Sequence, residues 1–208
     1  GLPATALNVR RDELYSVLEI LKAISAERRS HDILYVFVES IAKVVRCDRC
    51  SVVRVWGHQR VAHVLASHED ERIMNITIEL DRYPEIIRTM RTADRTVIAD
   101  AEVDDLTKPF ADSLRRSGLR TIAVVPIVVD DPEVGTLLLR TARTEPAFSA
   151  REVNFLEIVS EAASNALERA HLFESVQLAN ERLEHLAVTD GLTGVYNHRF
   201  FMERLEEE

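Results

Sequence analysis

The sequence predicts an α+β protein: an antiparallel sheet with helices on one face and a long helix closing the chain. Three observations carry this. Apolar residues recur at helical spacing up to Val45. From Cys50 to Thr141 they fall instead into short Val- and Ile-rich runs separated by turn residues. From Ser149 a helical pattern returns and meets no breaker before Gly191. Helices, then strands with short interruptions, then one helix is the order that stacks helices on an antiparallel sheet.

The elements follow in turn. Leu14, Val17, Leu18, Leu21 and Ile24 form a helical stripe over residues 11–27. The polar break Glu27-Arg28-Arg29-Ser30 ends it, and Ser30 is the expected cap of a second helix. Ile33, Phe37, Ile41, Val44 and Val45 lie on one face of that helix, which ends near Cys47. Cys50–Trp56 and Arg60–Ala66 read as strands joined by Gly57-His58-Gln59, a hairpin. After the polar loop Ser67–Glu71, Ile73–Leu80 alternates as a third strand. Tyr83–Arg91 suits a short helix and Thr96–Asp100 a short strand.

Residues 101–118 are irregular. Pro109 biases Lys108 away from helix, and Ala111–Arg116 can form one or two turns before Gly118. Arg120–Val129 is a strongly apolar strand, and Pro126 within it calls for a bulge or an edge position. The turn Asp130-Asp131-Pro132-Glu133 leads to its hairpin partner, Val134–Thr141. Ser149-Ala150-Arg151-Glu152 has the form of a capping box opening the last helix.

Composition bounds the function. Hydrophobic residues make up 46% of the 208, enough for a packed core. No run approaches the roughly 20 apolar residues needed to span a bilayer, and no secretory signal is visible. A net charge of −9 argues against nucleic acid as the main partner. Two cysteines make no disulfide framework, so a reducing, cytoplasmic setting is expected.

The order and local wording resemble a GAF domain over roughly residues 30–172. The carrying phrases are CDRCSVVRVW (47–56), ELDRYPEIIRTMRTADRTVIAD (79–100), RTIAVVPIVVDDPEVGTLLLR (120–140) and PAFSAREVNFLEIVSEAASNALERAHLFE (146–174). The resemblance implies a sensory domain with a small-molecule pocket on one sheet face. The segment VTDGLTGVYNHRFF (188–201) resembles the opening of a GGDEF-type diguanylate cyclase domain, at Asp190, Leu192, Thr193, Gly194, Asn197, Arg199 and Phe201. Val195 and His198 depart from that pattern. Locally the same residues form turns, with Asn197 capping a new helix. The resemblance implies a parent protein that makes cyclic di-GMP from GTP. The family's metal-binding carboxylates and nucleotide loop would lie beyond Glu208, so no catalytic residue and no enzymatic activity is expected of this chain. The expected organisation is an N-terminal helix and linker (1–29), a GAF domain (30–172), a coiled-coil signalling helix (173–188) and the truncated start of a GGDEF domain (189–208).

Leu172, Val176, Ala179, Leu183 and Leu186 are spaced by 4, 3, 4 and 3, a heptad seam. Val159, Ala163, Ala166, Ala170 and Phe173 repeat that spacing in a shifted phase, and the alanines would admit a second helix closely. A parallel homodimer is the expected assembly. The alternative is one amphipathic helix packed on its own sheet throughout.

Candidate ligand residues are Tyr83, Phe110, Leu114 and Arg115, around the long loop. The alternative is a face filled by side chains. Cys47 and Cys50 have C-x-x-C spacing, but no second pair completes a zinc site; small buried residues are the plainer reading. No Cys follows Cys50, which argues against a covalent bilin. The histidines show no ligand spacing, and no metal site or cofactor is named by the sequence. Three functions compete: a ligand-sensing regulatory domain, a passive dimerisation scaffold, and a small redox enzyme using Cys47 and Cys50.

Overall fold

The computed structural model describes residues 11–27, 29–55, 60–130, 133–143 and 148–189, with residues 195 and 197. Two helices open the chain, α1 (Arg11–Ala26) and α2 (Ser30–Val45). Among the described residues six strands follow: β1 (Arg49–Val55), β2 (Val61–Ser67), β3 (Ile76–Glu79), β4 (Thr96–Ile98), β5 (Thr121–Asp130) and β6 (Glu133–Thr141). The short helices α3 (Pro84–Thr92) and α4 (Ala111–Ser117) flank β4, and α5 runs from Ala150 to Val188. The strands form one antiparallel sheet in the order β3-β2-β1-β6-β5-β4.

The three long helices gather on one face, as the sequence predicts. Their core takes Ile20 and Ile24 of α1, Phe37 and Ile41 of α2, and Leu156 and Val159 of α5. Alternation then divides each strand. Cys50 and Val52 face the long helices, and Val53 and Val55 face the other way. That second face is closed by α3 and α4 through Ile86 and Leu114. Both faces of the central strands are therefore covered, and β5 reads as a continuous apolar run rather than an alternating one. A bulge in β2 sets Leu65 and Ala66 both toward the helices and returns Ser67 to the opposite face.

Three local expectations are refined. The third strand starts at Ile76 rather than Ile73, because Asn75 adopts φ 55° and breaks the extended backbone. Pro126 sits at an edge: β4 pairs with β5 only from Ile122 to Val124, so beyond it no ladder bond is lost. Ser30 does not cap α2 with its own side chain; Arg29 holds the N-cap position without a side-chain bond. Glu174 of α5 instead accepts from the Ser30 N–H (3.2 Å) and hydroxyl (3.3 Å), so a carboxylate from another helix serves that helix end. The capping box at α5 forms as expected, with the Ser149 N–H donating to Glu152 at 2.8 Å. No helix among the described residues is long and apolar enough to cross a membrane.

Candidate ligand-binding site

The face of the sheet opposite α5 holds a cavity of about 170 Å³ over β1, β2, β3 and β6. Val53, Val64, Ile76, Ile78 and Leu138 supply apolar walls, and Tyr83 closes one side. Its polar lining is Arg49, Ser51, Ser67, Glu69 and Arg140. The strand register explains the cluster. Arg49 and Arg140 are direct cross-strand partners in β1 and β6, and Ser51 lies opposite Ser67 in β2. The two hydroxyls meet at 3.2 Å.

Arg140 anchors the site. Its guanidinium donates to Glu85 at 2.6 Å and lies 4.7 Å from the centroid of the Tyr83 ring. Its side chain is 12% exposed and that of Glu85 1%. Pro84 at the first position of α3 sets the helix start, which places Tyr83 and Glu85 on either side of that turn. The buried Nε of Arg140 has no hydrogen-bond partner among the described residues. Arg49 differs: it meets Glu69 at 3.3 Å with both side chains almost half-exposed.

The end of β6 joins this site to α5. The Arg140 carbonyl accepts from the Asp48 N–H at 3.1 Å. The Asp48 carboxylate accepts from the Thr141 hydroxyl (2.8 Å) and the Ala142 N–H (2.7 Å). These bonds hold its carboxyl below the usual carboxylate range. Arg143 donates to the Val45 carbonyl at the end of α2 and approaches Glu152 in the first turn of α5 at 3.7 Å.

Of the four sequence-derived pocket residues, Tyr83 is on the cavity wall. Phe110 and Leu114 pack into the second core beside α4, and Arg115 faces solvent between Glu102 and Asp112. Arg49, Ser67, Glu69 and Arg140 were not singled out by sequence reading; two arginines at strand positions otherwise filled by apolar residues are the signal that marks them.

Ala163, Ala166 and Ala170 are buried in the chain's own core, where α1 and α2 are the helices that approach α5. Of the two uses the sequence leaves open for them, packing within the chain and contact between copies, the single chain shows the first. Small side chains admit any close helix, and the chain's own reach them first. Leu172, Val176, Ala179 and Leu183 are exposed in the single chain. The Leu186 side chain lies outside the described residues, as do Asp190, Leu192, Thr193, Gly194, Arg199 and Phe201. Asn197 donates its N–H to the Val188 carbonyl at 2.8 Å.

Cys47 and Cys50 are free and buried. Their thiols hydrogen-bond to each other, which lowers Cys47, while burial pushes Cys50 up. Among the described residues no group of three or more His, Cys, Asp or Glu is placed to hold a metal ion.

The family model of the GAF domain matches residues 29–167. The chain belongs to the GAF family. GAF domains are a sensory and regulatory fold, and solved GAF structures agree with the architecture. The GAF domain of an Acinetobacter phosphoenolpyruvate-protein phosphotransferase is 15% identical, with a TM-score of 0.64 over 80% of this chain and 99% of that one. A phycoerythrobilin-bound GAF domain of a cyanobacterial phytochrome is 16% identical, with a TM-score of 0.61 over 80% and 100%. The free methionine-R-sulfoxide reductase of Neisseria meningitidis, solved with its substrate, is 11% identical, with a TM-score of 0.63 over 79% and 95%. At such identities the likeness is one of fold. No curated protein matches the sequence.

Proposed function

We propose that this GAF domain is the sensory and dimerisation module of a diguanylate cyclase, binding a small molecule and passing the signal through α5. The observation that carries the reading is the cavity beside Arg140, joined by β6 and Arg143 to the start of α5. A ligand that shifts the end of β6 would act on Asp48, Val45 and Glu152 together. At its other end α5 leaves the domain beside Ser30, tied there by Glu174. Around and beyond that point the exposed seam of Leu172, Val176 and Leu183 suits a parallel partner helix, and a change in its crossing would alter how two downstream catalytic domains meet. The cyclase part of the proposal rests on the resemblance of residues 188–201.

A passive dimerisation scaffold is the second reading. The packing of Phe110 and Leu114 into a filled core, where the sequence predicts a pocket wall, favours it.

Native mass spectrometry of the purified chain, followed by a denaturing spectrum, separates the two. The expected result is a dimer carrying extra mass that is lost on denaturation. A bare dimer favours the scaffold, and a bare monomer overturns the seam. The cyclase link is tested on the longer natural protein, where formation of cyclic di-GMP from GTP supports it and its absence overturns it.

A further inference from the structure

We propose that the cavity takes a small organic anion, an apolar body bearing one carboxylate, with Arg49 as the docking group and Glu69 as the group that the ligand displaces. The inference rests on the ligand-sensing reading above and names its ligand class.

Charge comes first. The charged groups on the cavity wall are Arg49, Arg140 and Glu69. Glu85, which neutralises Arg140, is not part of that wall. The two arginines are thus each matched by a carboxylate, and a net positive charge faces the cavity only when Glu69 turns away from Arg49, which is when a ligand anion can take its place. The two ion pairs differ in permanence. Arg140–Glu85 is buried and close, so separating it would strand a charge out of water. Arg49–Glu69 is a single contact of 3.3 Å between half-exposed groups, and pairs of that kind are weak. A ligand carboxylate could engage the planar fork of Arg49 with two parallel hydrogen bonds, which one long contact to Glu69 does not use. Glu69 lies just beyond β2 and can turn to water without disturbing the sheet.

Hydrogen bonding points the same way. The Ser67 hydroxyl oxygen accepts from Ser51 and, at 3.5 Å, from the Glu69 N–H, which leaves its own proton to donate. Donors thus cluster at one end of a slot whose remaining walls are Val, Ile, Leu and Tyr. Size sets the body. Cavities of about 150 Å³ take up benzene, so about 170 Å³ suits a single ring or a short branched chain.

The test is isothermal titration of the 208-residue chain with benzoate, benzamide and benzylamine, which share a shape and differ in charge. Benzoate should bind and the other two should not. Arg49→Gln should weaken benzoate about tenfold, the effect of losing a hydrogen-bonded charge. Glu69→Gln should tighten it by removing the competing carboxylate. Both positions are near half-exposed, so the variants should keep the wild-type unfolding midpoint, which is measured alongside. Benzamide or benzylamine binding as tightly as benzoate overturns the anion and leaves ligand sensing standing, as does an Arg49→Gln variant of unchanged affinity. No binding of any probe in the low millimolar range overturns the proposal. If native mass spectra then also show a bare dimer, ligand sensing falls with it.

Discussion

Glu85→Gln tests the ion pair at the centre of the site. The substitution keeps shape and an acceptor oxygen but removes the charge, leaving the Arg140 guanidinium buried at 12% exposure without its anion. Removing one partner of a buried pair typically costs 3–5 kcal/mol. Two things soften the loss. The amide oxygen still accepts a hydrogen bond, and the Tyr83 face 4.7 Å away still attracts the cation, worth about 1 kcal/mol. The expected loss is about 2–3 kcal/mol. Urea slopes for small domains are about 1–3 kcal/mol/M, with larger ones at the upper end, so the unfolding midpoint should fall by about 1 M. The assay is urea denaturation followed by circular dichroism. The double variant Glu85→Leu/Arg140→Met removes both charges and should recover most of the loss, since replacing a buried pair by apolar groups is often neutral or better. A Glu85→Gln midpoint equal to wild type, or a double variant less stable than the single one, would refute the reasoning.

Other outcomes follow from the same geometry. Phe37 is fully buried between the long helices and the sheet, so Phe37→Ala should cost about 3–5 kcal/mol, read from the urea midpoint. Asp48 is held below its usual pKa, so its contribution is complete above the unfolded value of about 3.9 and is lost as pH falls through the folded value. The wild-type midpoint should therefore drop more between pH 5 and pH 3 (on the order of the carboxylate range) than that of Asp48→Asn, and equal drops would show that the bonds to Thr141 and Ala142 carry no charge dependence. Val176→Glu places a charge in the exposed seam and should turn a dimer into a monomer by light scattering without moving the unfolding midpoint of the domain.

Most of the element order was legible because local physics sets it. Side-chain period separates α2 from β1, the Ser149–Glu152 box marks the start of α5, and Pro126 announces a bulge or an edge, of which the structure has the edge. Each signal lies within a few residues of what it specifies. The site is different. Tyr83, one of the candidate lining residues named from the sequence, lies on the cavity wall. Phe110 and Leu114 have the same apolar character, yet they pack into the second core and do not line the cavity. The alanines of α5 show the same degeneracy. Their spacing suits the chain's own helices and a partner's helix equally, and only the position of α1 and α2 decides between them.

The sequence by itself determined the fold class, the helix and strand order, the long α5 and the family to which the domain belongs. Tertiary structure alone decided the site. Pairing of β1 with β6 sets Arg49 beside Arg140, and the packing of α3 brings Glu85 and Tyr83 to the same guanidinium. Periodicity specifies which face a residue takes within its own element, whereas adjacency between distant elements depends on strand register and on which buried charges must be paired.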